Sequence, residues 1–294
     1  MSSRFIVQHQ RPLDAVESVV GLSVYHGDRD TWLKQAITSI LNQTYSHFIF
    51  VIIIDGPTRS SLRDIIYQYA REDGRIVVIE SEKNVGLATC MNFVIDWSLN
   101  LNAKFFFRMD ADDVSHEDRL ERQTSYLNAH QNVAVLGSAL TEINEMGEKV
   151  GKRVMPGSHK KIVSMLPRRC SLNHPTVAIR FEVFRQGFRY ESHLKNTQDY
   201  FFWVRLAREG YLFRNLKEPL LDFRRVNDFY KRRGLSKSLN EFKARMFAMW
   251  QLKKVSPHNF LYAVSVLVLR LLPSPLVKLA YKVDRVLLEK YMKH

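Results

Sequence analysis

The sequence predicts an α/β fold, and three observations carry that reading. Between Val16 and about Leu136, short apolar runs alternate with stretches of helical periodicity, the pattern of a sheet assembled from βα units. The 294 residues are 46% hydrophobic and 12% aromatic, enough for a sizeable core. The two cysteines, Cys90 and Cys170, match no disulfide or zinc-ligand spacing, so neither is expected to form such a site, and a reducing cytoplasm fits.

The apolar runs give strands over 18–24, 48–54, 76–80, 104–108 and 133–136. Between the first two, Trp32, Leu33, Ala36, Ile37, Ile40 and Leu41 recur at helical spacing and present one face to the sheet. A second helix begins at Ser60 or Ser61, with Asp64 placed for a capping box. A third covers about 87–99 and a fourth about 117–130. Residues 137–155 read as a hairpin turning near 144–147, and from Lys160 onward helix and strand signals mix less regularly. No internal repeat or low-complexity segment interrupts the pattern.

One motif stands out chemically. Arg108-Met109-Asp110-Ala111-Asp112-Asp113 follows the strand-like Phe105-Phe106-Phe107 directly. Were the strand to continue, Asp110 and Asp112 would share a face about 6.6 Å apart. At an effective dielectric of ~20 they would repel by about 2.5 kcal/mol. A divalent cation relieves that repulsion, and carboxylate oxygens suit Mg²⁺ or Mn²⁺ shared with substrate phosphates. A helix cap or a solvated turn produces a similar acidic cluster. In open α/β sheets ligands bind outside the carboxyl ends of the strands, where Tyr25, Asp55 and the acidic triplet all fall.

The formal net charge is +14, which calls for an anionic partner: nucleic acid, an acidic membrane or a phosphorylated substrate. No nucleic-acid recognition motif accompanies the charge, and the acidic triplet would repel phosphate unless metallated, so nucleic acid is the weakest choice. Basic residues concentrate between Arg224 and Lys254, far from the acidic motif. Residues 1–10 lack the apolar core of a secretory signal, so export is not expected.

Taken in order, Val24-Tyr25-His26-Gly27, the helix segment 39–45, Ile54-Asp55-Gly56, Asn84-Val85-Gly86-Leu87 through Asn92, the acidic motif, His174-Pro175-Thr176 and Gln198-Asp199-Tyr200 form a set. This set resembles the family 2 glycosyltransferases of the GT-A fold, from Val19 to about Arg225. It looks most like bacterial enzymes that build O-antigen, capsule or lipooligosaccharide. The resemblance implies a Rossmann-like, mostly parallel central sheet flanked by helices, with a helical C-terminal extension. Residues 1–17 become an N-terminal extension and 18–225 the catalytic domain, with a nucleotide-sugar half (18–137) and an acceptor half (138–225). Residues 226–294 become a basic, amphipathic helical region.

The resemblance also implies roles. Asp55 would accept from a ring N–H of a pyrimidine base, although an Asp before Gly56-Pro57 also suits a plain turn. Tyr25 would lie beside the base or in the core. Asp110 would face the ribose or the metal, and Asp112 would hold the Mn²⁺ or Mg²⁺ that bridges the diphosphate; Asp113 would assist or cap the next helix. Arg108 would contact the donor or pair with an acidic neighbour. Asn84 and Gly86 would approach the ligand through a tight turn, which a helix N-cap explains equally well. Asp199 would be the base that deprotonates the acceptor hydroxyl in an inverting transfer; its other reading is a helix N-terminal charge. The family commonly carries a Glu-Asp pair there, and Gln198 departs from it. His174, a core histidine by composition, becomes an acceptor-side or metal-side residue.

Donor and acceptor follow: a nucleotide-sugar, expected to be a UDP-sugar, and a glycan or polyprenyl-diphosphate-linked hydroxyl. The rival enzyme is a Mg²⁺-dependent sugar nucleotidyltransferase, which needs a glycine-rich phosphate loop; Tyr25-His26-Gly27-Asp28-Arg29-Asp30 has a single glycine. Residues 260–281 are apolar but broken by Arg270, Pro273, Pro275 and Lys278, so they are not expected to span a bilayer. From Leu276, Leu279, Val283, Leu287 and Tyr291 share one helical face and basic residues another, an interfacial pattern. The expectation is peripheral attachment to the anionic cytoplasmic face of the cell membrane; the alternative is a cover for the catalytic domain or a homodimer contact.

Overall fold

The computed structural model describes residues 4–10, 16–194, 196–226 and 235–271. Its first half runs β1 (Phe5–His9), β2 (Ser18–Val24), α1 (Asp30–Leu41), β3 (Phe48–Asp55), α2 (Ser60–Glu72), β4 (Ile76–Ser81), α3 (Leu87–Ser98) and β5 (Phe105–Met109). Then come β6 (Val114–Ser115), α4 (Arg119–Ala129), β7 (Val133–Ile143), β8 (Lys149–Arg153), α5 (His159–Met165), β9 (Ala178–Arg180), α6 (Phe181–Arg185), α7 (Gln198–Arg208) and β10 (Leu212–Arg224). Two helices follow, α8 (Leu235–Gln251) and α9 (Pro257–Leu271).

All ten strands join one sheet in the order β1-β4-β3-β2-β5-β9-β7-β10-β6, with β8 paired to β7. The block β4-β3-β2-β5 is parallel, as the βα alternation requires. Beyond it the sheet is mixed rather than mostly parallel: β9 runs antiparallel to β5 and β7, while β10 runs parallel to β7. Phe5–His9, inside the N-terminal extension, pairs antiparallel with β4 and closes that edge. The hairpin at 144–147 forms between β7 and β8.

The central strands are apolar throughout because both faces are covered. Along β3, Ile49, Val51 and Ile53 face one core, and Phe48, Phe50, Ile52 and Ile54 face the other. Helices α1, α2 and α4 cover the second face through Leu33, Ile37, Ile66 and Leu120, and α3 and α7 cover the first through Met91, Val94, Phe202 and Trp203. The N-cap residue of α2 is Arg59, with no side-chain cap, so the expected capping box does not form. Arg59 instead reaches Asp30 of α1 at 3.2 Å.

Candidate active site

The carboxyl ends of β2, β3 and β5 lie side by side, because Val24 pairs with Ile54 and Leu22 with Met109. Tyr25, Asp55 and Asp110 are therefore brought together by strand register alone. β5 ends at Met109, so Asp110–Asp113 form a turn and the pleat spacing expected for an extended segment does not apply.

Asp55 is buried and fully engaged with the turn that opens α3. One carboxylate oxygen accepts from the Val85 N–H at 2.7 Å; the other accepts from the Gly86 N–H at 2.9 Å and the Asn84 amide at 3.1 Å. Gly56 and Gly86 make this possible. Gly56 sits at φ +80°, and a Cβ there would lie 2.3 Å from the Asn84 nitrogen; Gly86 sits at φ +85° with open space beside it. The three sequence-predicted residues Asp55, Asn84 and Gly86 thus form one hydrogen-bonded unit.

The acidic turn is surrounded by arginines. Arg108 is buried, pairs with Asp110 and donates to the Gly21 carbonyl at 3.3 Å, while its Nε has no partner. Arg119 donates to the Arg108 carbonyl at 2.7 Å from behind. Arg224, at the end of β10, donates its backbone N–H to Asp113 Oδ1 at 3.0 Å and its Nε to the Asp112 carbonyl at 2.9 Å. Asp113 is wholly buried with Oδ2 unpartnered, and it caps no helix. Burial, then Asp112 and Asp110, push its carboxyl well above the usual range.

Asp112 makes no ion pair among the described residues and lines a pocket with Tyr25, Asp28, Trp32 and Val226. Burial and then Asp110 raise its carboxyl to about 6. Burial, then Asp112 and Asp110, raise Asp28 to about 7. This crowding of carboxylates at a pocket mouth fits a divalent cation, and oxygen-only donors suit Mg²⁺ or Mn²⁺ over softer metals. Among the described residues no three His, Cys, Asp or Glu side chains form a ready cage. A cation here would take Asp112 and Asp110 and complete its shell with substrate oxygens and water. Tyr25 is 39% exposed, with its ring against Gly27 and edge-on to His26, so its face is open to a planar ligand.

His174 meets Tyr190 and Trp203. His174 Nε2 lies 3.2 Å from the Tyr190 hydroxyl, and the His174 ring packs edge-on to Tyr190 and Trp203. Burial, then the charge of Arg108, lower His174 to about 3, so its imidazole is neutral. Burial, and after it the charges of Asp199 and Asp110, raise the Tyr190 hydroxyl, and Arg108 opposes the rise. Asn92 holds the Tyr190 backbone from both sides, at 2.8 and 2.9 Å.

Asp199 lies in the first turn of α7, partly open to solvent, after Thr197 at φ +65°. A β-branched residue in that conformation is strained, a feature common at functional sites. Burial raises the Asp199 carboxyl; backbone N–H groups of Tyr200 and Asp199 and the Cys170 thiol at 3.8 Å oppose the rise. Gln198 is buried with its Oε1 unpartnered.

Asp28, Arg119, Arg224, Asn92 and Tyr190 were not expected. Arg224 heads the basic stretch expected at a membrane surface, yet it is 4% exposed and structures the acidic turn. Arg245 of that cluster is also buried, donating to the Arg168 carbonyl at 2.6 Å, and Arg225 pairs with Glu142 at 3.2 Å. Lys231, Arg232, Arg233 and the amphipathic stretch 276–291 lie outside the described residues. Asn92 carried a visible signal, an amide inside an apolar helix face.

The fold and the position of the acidic turn at the carboxyl ends of its parallel strands define the class: the protein is a glycosyltransferase with a GT-A-like fold. The chain belongs to glycosyl transferase family 2, whose model matches residues 22–188. It is similar to the O-antigen biosynthesis glycosyltransferase WbnJ of Escherichia coli, 31% identical over 260 residues covering 85% of this chain and 94% of that one. It is also similar to the UDP-Gal:alpha-D-GlcNAc-diphosphoundecaprenol beta-1,3-galactosyltransferase of E. coli, 27% identical over 92% of this chain and 96% of that one. The fold matches S. aureus TarS 1–349 in complex with UDP-GlcNAc, with a TM-score of 0.59 at 15% identity over 89% of this chain and 83% of that one. It spans 50% of the longer TarS chain of a second structure.

Proposed function

We propose that this chain is an inverting, metal-dependent glycosyltransferase of bacterial surface-polysaccharide assembly, moving a sugar from a UDP-sugar to a hydroxyl of a lipid-linked glycan. One observation carries the reading: strand register sets the acidic turn beside Tyr25 and Asp55 at the carboxyl ends of β2, β3 and β5, and Asp112 lines a pocket there with Tyr25. The relatives named above, an O-antigen enzyme and a transferase acting on a diphosphoundecaprenol acceptor, support the substrate class.

In this reading Tyr25 stacks on the base. Asp55 fixes the 84–86 turn, and the remaining acceptor position on its Oδ1 takes the ring N–H. Asp112 and Asp110 would hold a divalent cation, which would supply Lewis-acid stabilisation of the departing nucleoside diphosphate. Arg108 holds Asp110 in place. Asp199, with its carboxyl raised by burial, takes the proton from the acceptor hydroxyl as that oxygen attacks the anomeric carbon from the face opposite the diphosphate. Gln198 offers its unpartnered Oε1 to a sugar hydroxyl, and His174, held neutral, positions Tyr190 on the acceptor side. Residues 18–225 act as the catalytic domain, and the enzyme works peripherally at the cytoplasmic membrane face. No helix among the described residues is long and apolar enough to cross a membrane.

Isothermal titration of UDP with and without Mn²⁺ tests the donor site. Metal-dependent binding that is lost in Asp112→Ala is expected; equal binding by wild type and mutant, or no nucleotide binding under any metal condition, overturns the reading.

A further inference from the structure

We infer that the turn joining α8 to α9, with the outer stripe of α8, is the surface that seats the enzyme on an anionic bilayer. The inner sides of these helices are anchored to the acceptor half. Ala244, Ala248 and Met249 are buried, Phe247 stacks on Phe201 of α7 with ring centres 4.8 Å apart, and Asn259 of α9 accepts from Arg168 at 3.0 Å. The outer side is a different surface. Leu239, Lys243, Met246 and Trp250 follow one another at helical i, i+4, i+7, i+11 spacing. Trp250 is 71% exposed, and Val255 and Leu261 are each 63% exposed.

Charge selects the occupant. Glu241 is the one acid within α8 and α9, and it pairs with the buried Arg245 at 3.4 Å, whereas Lys243, Lys253 and Lys254 bring positive charge to the outer stripe and the turn. A second copy docking face to face would bring two positively charged patches together, because a two-fold interface uses the same patch on both sides. An exposed tryptophan beside lysines on an apolar ground is instead the composition of a membrane–water interface.

The turn carries a further sign. Helix α8 ends in a Schellman motif, with the Lys254 N–H donating to the Met249 carbonyl at 2.8 Å and the Lys253 N–H to that of Trp250 at 3.2 Å. The left-handed position in that motif ordinarily belongs to glycine, yet here it is Lys253, at φ +52°. Local stability disfavours a lysine there; an anionic surface facing the turn favours one.

This inference rests on the peripheral membrane placement proposed above and is independent of the donor. The test is co-sedimentation of the full chain with phosphatidylcholine vesicles, with and without phosphatidylglycerol, alongside UDP titration. Wild type is expected to bind only the anionic vesicles, and less so as salt rises. Lys253→Gly should weaken partition about fivefold while leaving the melting temperature equal or higher. Trp250→Ser should weaken it at least tenfold. UDP affinity should not change in either variant. Unchanged vesicle binding by both variants, absence of wild-type binding, or a dimer that Trp250→Ser dissociates without any vesicle affinity overturns it. Loss of UDP binding with vesicle binding intact would instead strike the donor reading.

Discussion

Nε2 of His174 and the phenolic oxygen of Tyr190 are 3.2 Å apart, and they form an uncharged bridge in a site otherwise crowded with charge. The histidine stays neutral because burial and Arg108 lower it to about 3. The unfolded chain regains an ordinary imidazole near 6.5.

Below that value the unfolded state therefore binds one more proton than the native state, so stability falls as pH drops from about 6.5 towards 3 and is fully retained above it. His174→Gln should flatten that part of the pH–stability curve. Urea denaturation of both proteins between pH 7 and 4.5 measures it, and parallel curves would refute the assignment.

Asp199 gives the opposite sign. Its folded carboxyl is raised, so the native state holds a proton that the unfolded state has lost, and stability falls as pH climbs through the interval between the two values. Asp199→Asn should raise the melting temperature at pH 7, with the gain disappearing near pH 4. Its transfer rate should drop by about 10²–10⁴. A mutant that is less stable at neutral pH would contradict the burial argument.

Replacing Gln198 with Glu places a second carboxylate beside Asp199 and pushes that base further up. The acidic limb of the kcat/KM profile should move to higher pH in Gln198→Glu. A limb that stays where it was would mean that Asp199 does not carry it.

Asp55→Ala removes the acceptor for two backbone N–H groups and the Asn84 amide. Each orphaned donor costs about 1–3 kcal/mol, so a loss of at least about 3 kcal/mol is expected from the three, with Asp55→Asn milder because one acceptor remains. The midpoint of denaturant unfolding reads it directly.

The parallel half of the fold was legible because its strands are buried on both faces, so their apolar runs need no partner to be recognised. Phe5–His9 was not: it is a short edge strand with Gln8 and His9 in it. β10 was obscured by irregular pairing around Pro219, where the register against β7 shifts. The acidic turn announced itself by charge, and Asp55 with Asn84 and Gly86 by turn chemistry. Arg224 did not, because its role depends on contacts with residues 111 and 112 positions earlier. Tyr190 and Asn92, 98 residues apart, were hidden for the same reason. An arginine closing a long β run is a signal that gains meaning only once the sheet order is known.

That long-range tie has a consequence for how the enzyme comes into being. The aspartates of the acidic turn leave the ribosome early, but the end of β10 that clamps them arrives more than a hundred residues later. Until Arg224 has emerged and paired beside β7, Asp113 lacks the backbone donor that holds it, and the turn has no fixed shape. A chain cut short before residue 224 therefore carries the acidic turn without the backbone donor and the guanidinium that hold Asp113 and Asp112 in place.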